Sequence, residues 1–221
     1  MNLSNHIESE LFRTISKVGK ENGKSSFVIG GFVRDLILKR PSKDVDIVVL
    51  GSGLEFAEKV AQALDVKKVA YFKNFGTAAF VFKGIEVEFV GARKESYSRE
   101  SRNPIIEEGT LEDDQNRRDF TINALAISLN QSSFGEVIDP FDGLGDIRRK
   151  LIKTPLDANI TFSDDPLRMM RAIRFATQLN FKIDKPALDA IESNTERLEI
   201  ISRERIMVEL NKIILSELPS K

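Results

Sequence analysis

The stretch GGFVRDLILKRPSKDVDIVV, residues 30–49, joins two glycines, a short helical pattern and a strand that carries two aspartates. The strand pattern, DVDIVVL, would be wholly buried but for Asp44 and Asp46. A charged side chain within an apolar run is costly unless something compensates for it. Residues i and i+2 of a strand point to the same face, so the two carboxylates should converge while Val45 and Ile47 face the core.

Two convergent carboxylates are typical of a magnesium pair in phosphoryl transfer, although an isolated D-x-D is more often a solvated strand face. The preceding residues favour the metal. A strand, SSFVI, leads into Gly30 and Gly31 and then into a helix, which would offer backbone N–H groups to a phosphate. Arg34, one turn into that helix, could bind the same phosphates with its planar fork. The stretch therefore predicts a site for a phosphorylated ligand and magnesium.

The composition of the chain limits the other kinds of chemistry. Its 221 residues, 41% apolar and 30% charged, suffice for one large domain or two small ones. No apolar run approaches the roughly 20 residues of a membrane span. The absence of cysteine excludes disulfides, thiol nucleophiles and cysteine zinc sites, and favours a cytoplasmic location. The single histidine, His6, is expected to be an ordinary surface residue, and the net charge of −1 gives no overall basic field for nucleic acid.

The hydrophobic pattern predicts an α/β domain with a mixed sheet, followed by an all-helical domain. After an amphipathic N-terminal helix, strands are expected at SSFVI, VDIVVL, VAYF, TAAFVF and IEVEFV. The polar stretch 94–116 is expected to be a loop, and RRDFTINALAISL a helix. Beyond Lys153 the pattern predicts helices only, at DDPLRMMRAIRFATQL, KPALDAIES and SRERIMVELNKIILSEL.

Five segments, in order, resemble the motifs of the class II tRNA nucleotidyltransferases, the family of CCA-adding enzymes and bacterial poly(A) polymerases. They are residues 30–49, RRDFTINALA (117–126), DPFDGLGDI (139–147), SDDPLRMMRAIRFATQLNF (163–181) and the segment that begins at Ser202. The resemblance implies a DNA-polymerase-β-like catalytic head over residues 1–153 and a helical, nucleotide-selecting neck over residues 154–221. The body and tail domains of the family are expected to be absent from this chain.

The resemblance also implies roles for individual residues. Asp44 and Asp46 would be catalytic and would bind Mg²⁺. Gly31 and Arg34 would hold the triphosphate, and Asp165 and Arg168 would read the Watson–Crick edge of the base. The full set assigned to the nucleotide is Gly30, Gly31, Arg34, Arg118, Asp165, Arg168, Arg171 and Arg174.

The arginines of the fourth motif also stand out by their spacing alone. On a helix, Arg168, Arg171 and Arg174 would span about 120°, which alone could be a solvated basic face. An arginine donor beside a carboxylate acceptor matches the edges of cytosine and adenine but not of guanine or uracil. The family usually begins this motif with Glu-Asp, whereas this chain has Asp164 and Asp165, so we expect the shorter Asp164 to orient its neighbours less rigidly. The opposite face, expected in the core, comprises Met169, Ala172, Ile173 and Ala176.

A third carboxylate is expected on the strand IEVEFV. Glu86 and Glu88 share a face by alternation. Glu88 aligns with an acidic position of the family, which implies a supporting catalytic role. The alternative is a solvent-facing acid on an edge strand.

The expected reaction is template-independent nucleotidyl transfer. The 3′-hydroxyl of a tRNA would attack the α-phosphorus of CTP or ATP with two Mg²⁺ ions, and pyrophosphate would leave. A poly(A) polymerase, a CC-adding or an A-adding enzyme would share these motifs, although the polar stretch 94–116 favours full CCA addition because the family uses this region in switching from C to A. A small-molecule nucleotidyltransferase and a non-catalytic RNA-binding module are the remaining alternatives. The sequence predicts no membrane partner and leaves the oligomeric state open.

Overall fold

A computed structural model describes residues 1–98 and 101–219. The chain forms two compact units, each made of several segments. The first contains residues 1–94, 107–115 and 123–140, and the second contains residues 95–106, 116–122 and 141–221. None of the helices in the described part of the chain has the length and apolar character needed to cross a membrane.

The strands, in chain order over the described residues, are β1 Ser26–Ile29, β2 Asp44–Val49, β3 Ala70–Phe72, β4 Thr77–Phe82, β5 Ile85–Gly91, β6 Arg93–Ser98, β7 Ser101–Glu108, β8 Ala126–Ser128, β9 Val137–Ile138, β10 Leu151–Ile152 and β11 Lys182–Ile183. The α-helices are α1 Glu10–Glu21, α2 Gly31–Ile37, α3 Gly53–Ala63, α4 Leu111–Asn116, α5 Gly143–Arg149, α6 Ala158–Asp164, α7 Leu167–Leu179, α8 Lys185–Asn194 and α9 Arg203–Ile214.

The first unit is built on a mixed sheet, as the sequence predicts. Within the described residues its strand order is β3-β4-β5-β2-β1-β8-β9. The β2–β5 pair is parallel, whereas β1 pairs with β2 and with β8 in the antiparallel direction. Strand β2 lies inside the sheet, between β5 and β1. Its residues Ile47, Val48 and Val49 are all buried, so both faces of the strand are covered beyond Asp46.

The N-terminal segment packs the apolar face that its periodicity predicts. Leu11, Ile15 and Val18 of α1 are buried, and so are Leu3 and Ile7, which precede it. Helix α1 begins only at Glu10, after a 3₁₀ turn at Ser4–His6. The predicted strands before residue 92 and the helix that follows β2 are confirmed as β1 to β5 and α3.

The segment RRDFTINALAISL is not the predicted helix. It forms a 3₁₀ turn at Thr121–Asn123 and then β8, which pairs with β1 in the sheet. Because the apolar side chains of this segment are buried on every side, no solvent face remains of the kind that an amphipathic helix presents. The side chains with no exposed surface are Phe120, Ile122, Leu125, Ala126, Ile127 and Leu129.

Two further secondary-structure predictions are wrong, one of a loop and one of a wholly helical region. The polar stretch 94–116, expected to be a loop, contributes to β6 and β7 and contains α4. Beyond Lys153 the chain is not wholly helical, because β11 pairs with β10 in the parallel direction. Polar composition disfavours a strand that is apolar on both faces, but it does not exclude strands whose polar side chains are paired.

In the second unit, the predicted helix DDPLRMMRAIRFATQL forms α7, but α7 begins only at Leu167, and Asp164 is the last residue of α6, a helix that the sequence did not predict. The break falls at Asp165 and Pro166, where Asp165 has an extended backbone (φ −133°, ψ 96°). A residue before proline is excluded from the α-helical region by the proline ring, so the helix ends there. On α7, Met169, Ala172 and Ala176 are buried as expected, whereas Ile173 is 38% exposed.

Candidate nucleotide site

The two aspartates of β2 lie on one face of the sheet. Asp44 is exposed and Asp46 is half-buried, while Val45 and Ile47 between and beyond them are buried on the other face. Among the described residues, the Asp44 carboxylate has no hydrogen-bond or ion-pair partner. An open carboxylate at the start of a rigid central strand is available to an external cation.

Two more carboxylates lie beside them on β5. The parallel register sets Asp44 opposite Glu86 and Asp46 opposite Glu88. The Glu88 side chain is exposed, yet its pKa is raised, first by partial loss of hydration among its neighbours and then by the negative charges of Asp46 and Glu86, and Arg93 opposes the shift. This face therefore accumulates negative charge that a cation would relieve.

The carboxylates on this face can supply some, but not all, of the ligands that a hard divalent cation needs. Oxygen ligands are those that Mg²⁺ prefers, and Mg²⁺ usually keeps several waters and takes one or two carboxylates together with substrate phosphates. Over residues 1–98 and 101–219, no group of three or more His, Cys, Asp or Glu side chains is arranged as a metal site. Asp44 and Asp46 would thus hold such an ion jointly with a bound ligand.

The glycine pair ends β1 and begins α2. Gly30 has a positive φ of 83° that other residues rarely adopt, and its N–H donates to Leu125 O. A Cβ built on Gly31 would lie 3.7 Å from Arg34 Nη2. A side chain at Gly31 would therefore contact the guanidinium that the sequence assigns to the triphosphate.

Arg34 itself is buried and held by neighbours in the same unit. Its Nε and Nη2 donate to the two carboxylate oxygens of Asp35 at 3.0 and 2.9 Å, and its Nη1 donates to Asn123 Oδ1 at 2.7 Å. This geometry fixes the orientation of the guanidinium but leaves fewer donors for a phosphate. The partner Asp35 adjoins Arg34 in sequence, whereas Asn123 comes from the distant second motif.

The second unit contains a polar cavity of about 300 Å³. Arg118, Asp165, Arg168 and Arg171, which the sequence assigns to the nucleotide, all line it. Sequence reasoning missed the remaining lining residues, which are Arg117, Asp119, Leu167 and Arg205. Arg117 and Asp119 adjoin Arg118 within the second motif, Leu167 belongs to the fourth, and Arg205 of α9 belongs to the segment that begins at Ser202, so the motifs contained all four residues without marking them.

Asp165 and Arg168 lie at the start of α7. Asp165 Oδ1 accepts from the backbone N–H of Leu167 at 3.2 Å, so the carboxylate pairs with the first N–H group of α7 from the residue before the N-cap, Pro166. Arg168 is buried, and its Nη2 donates to the carbonyl oxygen of Arg117 at 2.6 Å while its Nη1 donates to that of Thr161 at 3.4 Å. The Arg168 side chain is therefore not a solvated basic face, and backbone carbonyls help to fix its orientation.

Arg171 is fixed in the same cavity by a buried acid. Its Nε donates to Asp119 Oδ2 at 2.7 Å, and Asp119 also accepts from the backbone N–H of Phe120 at 2.8 Å. The negative charge of Asp119 raises the pKa of Arg171 above its ordinary value. The pair holds one guanidinium of the cavity wall in a single direction.

Arg174 does not line the cavity. Its Nε donates to Glu209 Oε2 of α9 at 2.5 Å, its Nη1 donates to Gln178 at 3.2 Å, and its guanidinium lies 4.1 Å from the ring centre of Phe175. Burial and the nearby charge of Arg171 lower the pKa of Arg174. A nucleotide contact by Arg174 stays a prediction.

Asp164, the residue that replaces the family's glutamate, lies at the end of α6. Its pKa is raised mainly by burial, against the positive charges of Arg168 and Arg197, and the charge of Glu95 adds to the increase. Arg197 in turn donates to the carbonyl oxygen of Ser163 at 2.8 Å. Asp164 thus lies within the electrostatic field of the cavity's arginines.

Comparison with known families relates these motifs to nucleotidyltransferases. Residues 26–153 match the family described as the poly(A) polymerase head domain, and residues 180–221 match one described as a probable RNA- and SrmB-binding site of polymerase A. An A-adding tRNA nucleotidyltransferase of Geobacter sulfurreducens is 37% identical over 96% of this chain and 24% of its own length. A CCA-adding enzyme of Lactobacillus delbrueckii is 40% identical over 90% of this chain and 48% of its own length.

Solved structures show the same likeness. A CCA-adding enzyme in an apo form superposes with a TM-score of 0.86 at 38% identity, over 95% of this chain and 49% of that one. A tRNA nucleotidyltransferase in complex with a primer tRNA and an incoming ATP analogue has a TM-score of 0.80 at 35% identity, over 92% and 56%. The chain thus spans about half of each of these solved chains, and between about a quarter and a half of the two curated relatives.

Proposed function

Because the chain belongs to the poly(A) polymerase head-domain family, we propose that it adds C and A from CTP and ATP to the 3′ end of tRNA. The observation that carries the proposal is the cavity in which Asp165 and Arg168 lie together with three further arginines of the second and fourth motifs. Relatives named CCA-adding enzyme and A-adding tRNA nucleotidyltransferase support the choice of tRNA. We assign catalysis to a head over residues 1–153 and nucleotide selection to a neck over residues 154–221.

The head would supply the phosphate chemistry. Asp44 and Asp46 would hold Mg²⁺, which when bound lowers the pKa of an attacking hydroxyl and neutralises leaving oxygens. The backbone N–H group of Gly31, with Arg34, would bind the triphosphate, whereas Gly30, whose own N–H donates to Leu125 O, would shape the turn before it, and Glu88 would support the charge balance of the two aspartates. The 3′-hydroxyl of the RNA would then form a bond to the α-phosphorus while the bond to pyrophosphate breaks.

The neck would select the base. The Asp165 carboxylate can accept from the exocyclic amine of cytosine or adenine, and the Arg168 guanidinium can donate to the adjacent ring nitrogen. Uracil and guanine present the opposite order of donor and acceptor, so both contacts would be lost. The fixed orientation of Arg168, held by the carbonyl oxygens of Arg117 and Thr161, supports a reading role.

A-addition alone is the second candidate. Two of the relatives, from Aquifex aeolicus and Geobacter sulfurreducens, carry the name A-adding tRNA nucleotidyltransferase, at 42% and 37% identity. A cavity that accepts both C and A would serve either activity, so the two candidates differ in the RNA end that they extend.

The deciding experiment supplies the chain with Mg²⁺ and one labelled nucleotide at a time. Three tRNA transcripts serve as primers, ending before the first C, after the first C and after the second C. A full CCA activity extends the first two with CTP and the third with ATP, whereas an A-adding enzyme extends the third only. Extension of all three primers by ATP would indicate a poly(A) polymerase. Failure to extend any primer, with binding of neither CTP nor ATP, would contradict the proposal.

A further inference from the structure

Glu95, on β6, forms an ion pair that the sequence did not predict. Its Oε1 lies 3.2 Å from Nη1 of Arg117, and the two side chains are only 4% and 16% exposed. Removing two charges from water to this extent costs free energy that is recovered only when both groups are held in good geometry. The pair therefore fixes Arg117 relative to the strand, within the second unit.

Arg117 connects this pair to the cavity through its backbone. Its carbonyl oxygen accepts from Nη2 of Arg168 at 2.6 Å, a shorter contact than the 3.4 Å between Nη1 of Arg168 and the carbonyl oxygen of Thr161. Arg117 also lines the cavity, whereas Glu95 does not. A hydrogen bond of this length, made by a charged donor, depends strongly on where the acceptor lies.

We propose that Glu95 is a positioning residue for base selection, which acts by holding Arg117 so that its carbonyl oxygen orients Arg168. The inference rests on the proposed function, because it concerns the reading of the base by Arg168. The proposal also gives a physical role to β6, which lies in the polar stretch 94–116 that composition alone would class as a loop. The role is indirect, since Glu95 contacts Arg117 and does not line the cavity.

The test compares Glu95→Gln with wild type in nucleotide binding without RNA and in primer extension. Dissociation constants for CTP and UTP come from isothermal titration calorimetry with Mg²⁺, and kcat and KM come from extension of a tRNA lacking its CCA end. Glu95→Gln should reduce the preference for CTP over UTP by about tenfold, the effect of weakening one oriented hydrogen bond. Glu95→Asp, which keeps the charge, should lose less of the preference than Glu95→Gln.

A second comparison separates positioning from stability. Asp184→Ala removes an N-terminal cap of α8, where Asp184 Oδ1 accepts from the N–H of Ala187 at 3.1 Å, and it touches no cavity residue. This variant should lower the melting temperature and leave the CTP preference unchanged. In an Arg168→Lys background, Glu95→Gln should have no further effect on the preference, because the two residues act through one contact.

The possible outcomes distinguish failure of the positioning role of Glu95 from failure of the proposed function. If wild type prefers CTP while Glu95→Gln and Glu95→Asp keep that preference in full, the positioning role is wrong and the proposed function stands. If Glu95→Gln reduces the preference equally in the Arg168→Lys background, the residue acts by another route and the inference is overturned. If wild type binds neither nucleotide, the proposed function fails and the inference falls with it. Should Glu95→Gln fail to fold, Glu95→Asp alone decides between the first two outcomes.

Discussion

Asp46 and Glu88 lie directly opposite each other on the parallel strands β2 and β5. Side chains opposed in register point to the same side of a sheet, so two negative charges share one small surface. Partial loss of hydration and the charges of Asp46 and Glu86 raise the pKa of Glu88. The repulsion between these carboxylates therefore occurs beside the candidate metal ligands of β2, where a bound cation would relieve it.

The raised pKa of Glu88 predicts a pH-dependent gain in stability on substitution. From its ordinary value of 4.5 upward to its raised value, the folded state binds more protons than the unfolded state, so stability falls as pH rises through this window. Glu88→Gln should therefore raise the melting temperature at about pH 7 in the presence of EDTA, and the gain should vanish below about pH 4. Circular dichroism melts across this range check the prediction.

Glu58→Gln serves as the control for this prediction, because Glu58 is an exposed carboxylate on α3. It should leave the melting temperature unchanged at every pH. A Glu88→Gln gain that persists undiminished at acidic pH would show that the ionised carboxylate is not the source of the cost.

Asp46→Asn should abolish nucleotide incorporation and leave the fold intact. The substitution removes one of the two carboxylates proposed to hold Mg²⁺, and metal stabilisation of the transition state contributes several kcal/mol, so we expect a loss of at least about a hundredfold in kcat. Primer extension with CTP and Mg²⁺ measures it. Asp65→Asn, at an exposed carboxylate paired with Lys67, should retain wild-type turnover. Near-wild-type turnover of Asp46→Asn would refute the metal assignment.

The strand that carries Asp44 and Asp46 could be predicted because its signal is local. Alternation with period two decides which face each side chain takes, and the neighbouring residues Val45 and Ile47 already mark the buried face. The N-terminal face was predictable for the same reason, since a helical period is visible within a few turns. Its burial continues through Leu3 and Ile7, which precede the helix.

The contacts that fix the cavity could not be predicted from local patterns. Arg117 meets Glu95 across 22 residues, and Arg171 meets Asp119 across 52, so no period in the sequence relates the partners. The resemblance to known motifs brought Arg118, Asp165 and Arg168 together but said nothing about the acids and carbonyls that hold the arginines. The same limit explains the wrong helix at RRDFTINALAISL, whose burial comes from the surrounding fold.

Glu209→Ala should destabilise the second unit. Glu209 and Arg174 are 6% and 11% exposed at their side chains, and removing one partner of a buried pair leaves an uncompensated charge that costs about 3–5 kcal/mol. Urea unfolding followed by circular dichroism measures the change in the free energy of unfolding. Glu196→Ala, at an exposed carboxylate before α9, should change it by less than about 0.5 kcal/mol. Equal stability of the Glu209 variant and wild type would contradict the buried ion pair.

Asp165→Ala should relax the choice between CTP and UTP. With Asp165 present, the carboxylate meets the exocyclic amine of cytosine but would face the O4 carbonyl of uracil, an acceptor against an acceptor. Leaving such a group unmet costs about 1–3 kcal/mol, and more when it is charged, so wild type should favour CTP by at least about two orders of magnitude. Removing the carboxylate abolishes this clash, and the ratio of kcat/KM for CTP over UTP should fall at least about tenfold while total activity also declines.

The carboxylate of Asp165 also accepts from the N–H of Leu167, the first residue of α7, so its loss has a structural cost of its own. Asp157→Ala is the matched control, because Asp157 caps the preceding helix through the N–H of Ile160 at 3.0 Å and does not line the cavity. Each substitution removes one hydrogen bond between a carboxylate and a backbone N–H at the start of a helix, but only Asp165→Ala removes a group that can meet the base. The control should keep the wild-type ratio. If Asp165→Ala remains active with that ratio unchanged, then Asp165 only pairs with the start of α7 and does not read the base.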